Sequence, residues 1–193
     1  MKRVICTGLA VLDHVFYLQE IPKKPTKSFA SSYQIAGGGN AATAAVAIIR
    51  AGGQASFWGS LGDDLNGDII LSELEEFGVD VKDVKRLNGL NSSVSTVLID
   101  HKGERLITNY TDRQLLKNAD WLPLGKLENS NAVLADLRWQ EGAIKDLRRA
   151  RELEIPGVLD ADLTPEGMND EVIKNATPVL FSEPALNDFT RRK

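Results

Sequence analysis

Short apolar runs alternate with amphipathic stretches along much of this chain, and that alternation limits the folds open to it. NAVLAD (131–136), GVLDAD (157–162) and PVLFSE (178–183) are too short for buried helices and read as strands. GAIKDLRRARELEIPG (142–157) and DEVIKNA (170–176) lie between them and read as helices. Strands joined through helices pair in parallel, and right-handed crossovers lay the helices on the sheet. The expected fold class is therefore α/β, with a Rossmann-like parallel sheet and helices on both faces.

The first half follows the same rhythm with two interruptions. RVICTGLAVLD (3–13) reads as a buried strand ending at Asp13, and ASFWGSLG (55–62) as another strand. Residues 40–51 form an alanine-rich helix with little polar surface, so it should be largely buried. DLNGDIILSELEEFG (64–78) places Leu65, Ile69, Ile70, Leu74 and Phe77 on one helical face, with Asp63 or Asp64 as the cap and Gly78 as the stop. Segments 14–35 and 92–112 instead read as hairpins, the second turning at HKG. The two hairpins are expected to pair as a small antiparallel sheet over one edge of the core. The expected division is thus a core of 1–13, 36–91 and 113–193 and a lid of 14–35 and 92–112. FSEPALNDFTRRK (181–193) opens a helix and stops, as a truncated chain would.

Composition excludes several function classes. A net charge of −4 points to neither nucleic acid nor an anionic membrane. No apolar run approaches the roughly 20 residues of a membrane span. The single cysteine, Cys6, excludes an intrachain disulfide, reads as a buried small hydrophobe and fits a reducing cytoplasm. His14 and His101 stand alone, without zinc-ligand spacing.

Candidate chemistry gathers at the strand ends, where parallel α/β sheets bind ligands. Asp13, Asp136, Arg138, Asp160, Asp162, Ser182 and Glu183 fall there. AGGGNAAT (36–43) sets three glycines before the alanine-rich helix, where free N–H groups favour oxygen-rich ligands. Glycines there admit a polar ligand against the backbone, or serve a tight turn. Arg138 either meets a ligand or pairs with Asp136 at the surface, and Lys27 alone reads as a solvated loop lysine. The chain has no G-x-x-x-x-G-K-[ST] and no G-x-G-x-x-G after the first strand, which argues against a P-loop and a dinucleotide fold.

Together these pieces resemble the PfkB (ribokinase-like) family of carbohydrate kinases. The likeness rests on Gly38, Gly39, Ala45, Gly52 and Gly62, on GDDLNG (62–67), on Asp13 and on the two hairpins. It implies a ribokinase-like fold with a β-lid, an ATP-dependent kinase acting on a sugar hydroxyl, Mg²⁺ on the nucleotide, a homodimer through the lid and a cytoplasmic location. It also implies that Asp13, Gly38, Gly39 and Thr43 bind the sugar, Thr43 standing where the family usually has Asn. Within the family, KGERLITNY, VLADLRW, VLDADLTP and FSEP are most similar to bacterial sulfofructose kinases. That likeness implies an anionic ketohexose whose sulfonate meets Lys27, Asn109 and Arg138, a trio that suits a sugar phosphate as well. The family's catalytic base is expected beyond Lys193, so the chain alone is expected to be inactive. The family's Asn-x-x-Glu motif is expected near 182–185, where SEPA leaves Glu183 as a partial substitute toward the nucleotide. A non-catalytic sugar-binding or regulatory domain is the rival class.

Overall fold

The computed structural model describes residues 1–191; the last two residues of the expected core lie outside the described residues. The first half of the chain runs β1 (Arg3–Thr7), β2 (Val11–Tyr17), β3 (Ser32–Gly38), α1 (Asn40–Arg50), β4 (Gln54–Trp58), β5 (Ser60–Gly62), α2 (Leu65–Glu76) and β6 (Lys85–Leu87). It continues with β7 (Val94–Ile99), β8 (Arg105–Tyr110), β9 (Ala132–Asp136), α3 (Gln140–Glu152), β10 (Gly157–Ala161), α4 (Asp170–Asn175), β11 (Val179–Phe181) and α5 (Glu183–Arg191).

Five strands form one parallel sheet in the order β11-β10-β9-β1-β4. β1 lies inside the sheet between β9 and β4, and its adjacent residues Ile5 and Cys6 are 2% and 0% exposed, so both faces of the sheet are covered. Ile5 packs with Ala143, Leu147 and Ala150 of α3. Cys6 packs on the other face with Ala41, Ala42 and Ala45 of α1 and Ile70 and Leu74 of α2. The alanines of α1 let that helix lie close to the sheet. The expected α/β fold with helices on both faces is thus the observed one. Burial pushes the Cys6 thiol up to about 12, and the nearby Asp136 charge adds to it.

A second sheet, in the order β3-β2-β7-β8, forms the lid. Several boundaries differ from the sequence reading. The first expected strand breaks at Gly8, and Asp13 lies inside β2 of the lid sheet rather than at the end of β1. Gly37 and Gly38 belong to β3 rather than to the helix start. Each hairpin is antiparallel, but β2 and β7 pair in parallel, so the lid is mixed rather than antiparallel. The first strands of both hairpins leave the core in the same direction, which fixes that pairing. The expected strand at 55–62 is two strands, because the chain turns at Gly59, where a Cβ would stand 2.6 Å from the Gly8 carbonyl oxygen. β5 then pairs with β6 in a separate two-stranded sheet.

In α2, Asp64 is the cap and accepts the Gly67 N–H at 2.9 Å. Ile70 and Leu74 are buried as expected, whereas Leu65 is 73% exposed. Leu65 is the first helical residue, and its side chain lies past the edge of the packed face.

Candidate functional site

Asp136 organises the corner where the two sheets meet. It ends β9, is fully buried, and receives three backbone N–H groups. Its Oδ2 accepts from Leu9 at 2.9 Å and from Ala41 at 3.1 Å, and its Oδ1 accepts from Arg138 at 2.9 Å. One carboxylate therefore ties the β1–β2 crossing, the first turn of α1 and the segment after β9. Burial pushes its pKa up to about 6 against the pull of these donors, and the Asp160 charge adds to the rise. Arg138 is thus linked to Asp136 through its backbone; its guanidinium is paired elsewhere.

The glycine run answers to neighbouring groups of the chain itself. Gly39, at φ +90°, meets the Leu9 carbonyl, where a Cβ would stand at 2.3 Å. A Cβ on Gly38 would lie 2.2 Å from Oδ2 of Asp13. Gly37 donates its N–H to Glu73 Oε1 at 3.1 Å, and a Cβ there would stand 2.8 Å from the same carboxylate. The glycines are required before any ligand arrives.

Asp13 heads a polar row across the lid. It lies opposite Ser95 on β7, and Ser95 lies opposite Asn109 on β8. Asn109 donates to Ser95 Oγ at 3.1 Å and to the Val94 carbonyl at 3.2 Å. Burial raises the Asp13 pKa, while the Ser95 hydroxyl and then the His14 charge act against that rise. Asp13, Ser95 and Asn109 thus make one hydrogen-bonding shelf, with Gly38 packed against Asp13.

Asn109 also lines a cavity of about 230 Å³ with Arg113, Arg138, Thr164 and Glu166. It lies past the carboxyl ends of β9 and β10, as the sheet's topology favours. Arg138 Nη2 stands 3.5 Å from Asp162 Oδ2, and Asp162 Oδ1 accepts the Ser182 hydroxyl at 2.7 Å. Nearby, Asn40 at the start of α1 donates to Asp160 at 2.8 Å.

Of the expected site residues, Asn109 and Arg138 line this cavity and Asp13 lies on the lid row that leads to Asn109, whereas Lys27, Thr43 and Glu183 are in neither place. Lys27 is exposed on the loop between β2 and β3, its Nζ 5.4 Å from the Phe29 ring centre. Thr43 is exposed on α1 and lines another cavity, of about 210 Å³, with Gly37, Gly38, Arg50, Glu73 and Phe77. Glu183 is exposed at the first position of α5. Gly39 joins the site through Leu9 and the Asp136 corner.

Sequence reasoning missed Ser95, Arg113 and Glu166, which come into place only through strand register and loop closure. It also missed the buried contact of the Thr7 hydroxyl with Asp146, whose Oδ1 has no partner. Burial pushes the Asp146 carboxyl up to about 7 against the Thr7 hydrogen bond. An apolar-face position on α3 was the only signal for it. Among the described residues no three His, Cys, Asp or Glu side chains are grouped to hold a metal ion, and no helix is long and apolar enough to cross a membrane.

Known proteins share this fold. The crystal structure of a candidate ribokinase from Agrobacterium tumefaciens superposes with a TM-score of 0.93 at 38% identity, covering 98% of this chain and 62% of that one. ATP-dependent ribose-1-phosphate kinase from Halopiger xanaduensis is 32% identical over 104 residues, which is 54% of this chain and 35% of the relative. Ketohexokinase from Mus musculus is 27% identical over 110 residues, 56% of this chain and 37% of the relative. These matches thus cover just over a third of each of the two kinases and 62% of the solved structure. The model of the pfkB family carbohydrate kinases matches residues 1–152. The parallel sheet, the mixed lid and the glycine corner all begin within that stretch, and the chain belongs to the pfkB family of carbohydrate kinases.

Proposed function

We propose that the whole protein is an ATP-dependent kinase that phosphorylates a primary hydroxyl of an anionic ketohexose resembling sulfofructose, and that this chain holds the sugar. One observation carries the reading: Asn109 belongs both to the Asp13 shelf and to the Arg138 cavity. A single sugar can therefore meet hydroxyl acceptors at one end and a guanidinium at the other. The names of two relatives support the parts separately, one acting on a ketohexose and one on a sugar phosphate with ATP.

On this reading Asp13 and the Gly38–Gly39 backbone bind sugar hydroxyls. Arg138 and Asn109 hold the anionic head by charge and hydrogen bonds. Lys27 joins them by movement of its loop, Thr43 contributes from α1, and Glu183 faces the nucleotide side. Mg²⁺, carried on ATP, supplies charge neutralisation during phosphoryl transfer. The base that takes the hydroxyl proton belongs to a part of the protein outside this chain. The segments 14–35 and 92–112 act as a lid over the core and meet a second copy, and the enzyme works in the cytoplasm.

The test is Arg138→Ala in the full-length protein. Binding of sulfofructose should weaken by about 1.5–3 kcal/mol, the value of a hydrogen bond to a charged group. ATP affinity should not change. Unchanged sulfofructose binding would remove the anionic-substrate reading. The 193-residue chain alone should show no sugar-dependent ATP consumption.

A further inference from the structure

The cavity that presents Arg138 is close to charge-balanced. Arg138 has Asp162 at 3.5 Å through a single nitrogen–oxygen contact. Arg113, also on the cavity wall, has Glu166 at 3.7 Å. Glu166 is held ionised: the Thr164 hydroxyl, then its own backbone N–H and the Arg113 and Arg138 charges, keep its carboxyl below the ordinary range. Thr164 donates to Glu166 Oε2 at 2.7 Å, which fixes the carboxylate at the wall. Asp162 is fixed in turn by Ser182. Two guanidinium groups thus face two anchored carboxylates.

We infer that Asp162 and Glu166 are specificity-determining residues that make this cavity accept a singly charged anionic head and resist a doubly charged one. The inference rests on the anionic-sugar reading above. With the wall charges nearly balanced, a second charge on the ligand gains little from the arginines, while the cost of taking the head out of water rises steeply with its charge. The single contact between Arg138 and Asp162 lets the guanidinium turn toward a ligand without breaking a bidentate pair. A sulfonate carries one permanent charge. A phosphate monoester carries close to two above its second pKa of about 6. The acidic pair therefore separates two head groups of nearly the same shape, which hydrogen-bond donors alone separate poorly.

The experiment uses the full-length enzyme with Asp162→Asn, Glu166→Gln and Arg138→Gln. Asparagine keeps an oxygen for Ser182 and glutamine keeps one for Thr164, so each isostere removes charge with little change of shape. kcat/KM is measured at pH 8 on sulfofructose, fructose 6-phosphate and fructose. Asp162→Asn should raise kcat/KM on fructose 6-phosphate about tenfold and on sulfofructose about threefold, leaving fructose within twofold. Glu166→Gln should move the same ratio in the same direction. Equal change on all three sugars, or no gain on fructose 6-phosphate, overturns the inference. If Arg138→Gln leaves all three sugars unchanged, the anionic-sugar reading fails and this inference falls with it. If Arg138→Gln weakens both anionic sugars but neither acidic variant changes their ratio, only this inference fails.

Discussion

The Asp13 carboxylate lies directly over Gly38, so that a Cβ at residue 38 would stand 2.2 Å from its Oδ2. Gly38→Ala must therefore displace the Asp13 carboxylate from this position. The backbone of β3 can accept alanine, so the fold should survive. KM for the sugar should rise at least about tenfold in the full-length enzyme, because small misplacements of a binding group have large effects. Circular dichroism and steady-state kinetics check this together. An unchanged KM would mean that Asp13 does not hold the sugar.

The Asp136 corner makes a prediction about stability. Asp136→Ala leaves the N–H groups of Leu9, Ala41 and Arg138 without their acceptor in a buried site. Each unsatisfied buried donor costs about 1–3 kcal/mol. The variant should lose at least about 3 kcal/mol in urea denaturation. A loss below about 1 kcal/mol would show that water or a backbone shift replaces the carboxylate.

The α/β rhythm was legible because apolar runs and amphipathic stretches differ in period, and both faces of β1 are covered as its sequence suggests. The site was legible in part. Asp13, Arg138 and Asn109 stand out in the sequence as candidates, but the row from Asp13 to Asn109 passes through Ser95, and only register shows that. VLD looked continuous with RVICTGLA because the break at Gly8 comes from Asp136, 128 positions away in the chain. In the sequence the glycine run is open to a ligand or a turn. Its actual causes are Leu9, Asp13 and Glu73, which are close in space and distant in sequence.

Two buried carboxyls set a pH dependence. Burial raises Asp136 to about 6 and Asp146 to about 7, well above the ordinary carboxylate range. Between pH 4 and pH 7, roughly, the folded chain holds more protons at these sites than the unfolded chain, so stability falls as pH rises through the folded values. Full stabilisation from these groups is present below their unfolded pKa. Asp146→Asn should flatten the stability curve between about pH 4 and pH 7 by on the order of a few kcal/mol relative to the parent. Parallel curves for parent and variant would contradict the raised carboxyl.

The lid supplies a prediction about assembly. All six residues of β8 are exposed, and Leu106, Ile107 and Tyr110 are at least half exposed. An edge strand of this kind invites pairing unless another surface covers it. Ile107→Lys should shift the sedimentation of the full-length protein from dimer toward monomer. A monomeric parent, or a dimer indifferent to the substitution, would remove the lid from the interface.

The central claim is that this chain's site selects an anionic ketohexose for phosphorylation. Its most direct test is the kcat/KM ratio of the full-length enzyme on sulfofructose against fructose, with the product's phosphorylation position read by ³¹P NMR. A ratio of at least about tenfold, the equivalent of one hydrogen bond to a charged group, with phosphate on a primary hydroxyl, is the expected result. Equal activity on the two sugars would contradict the claim.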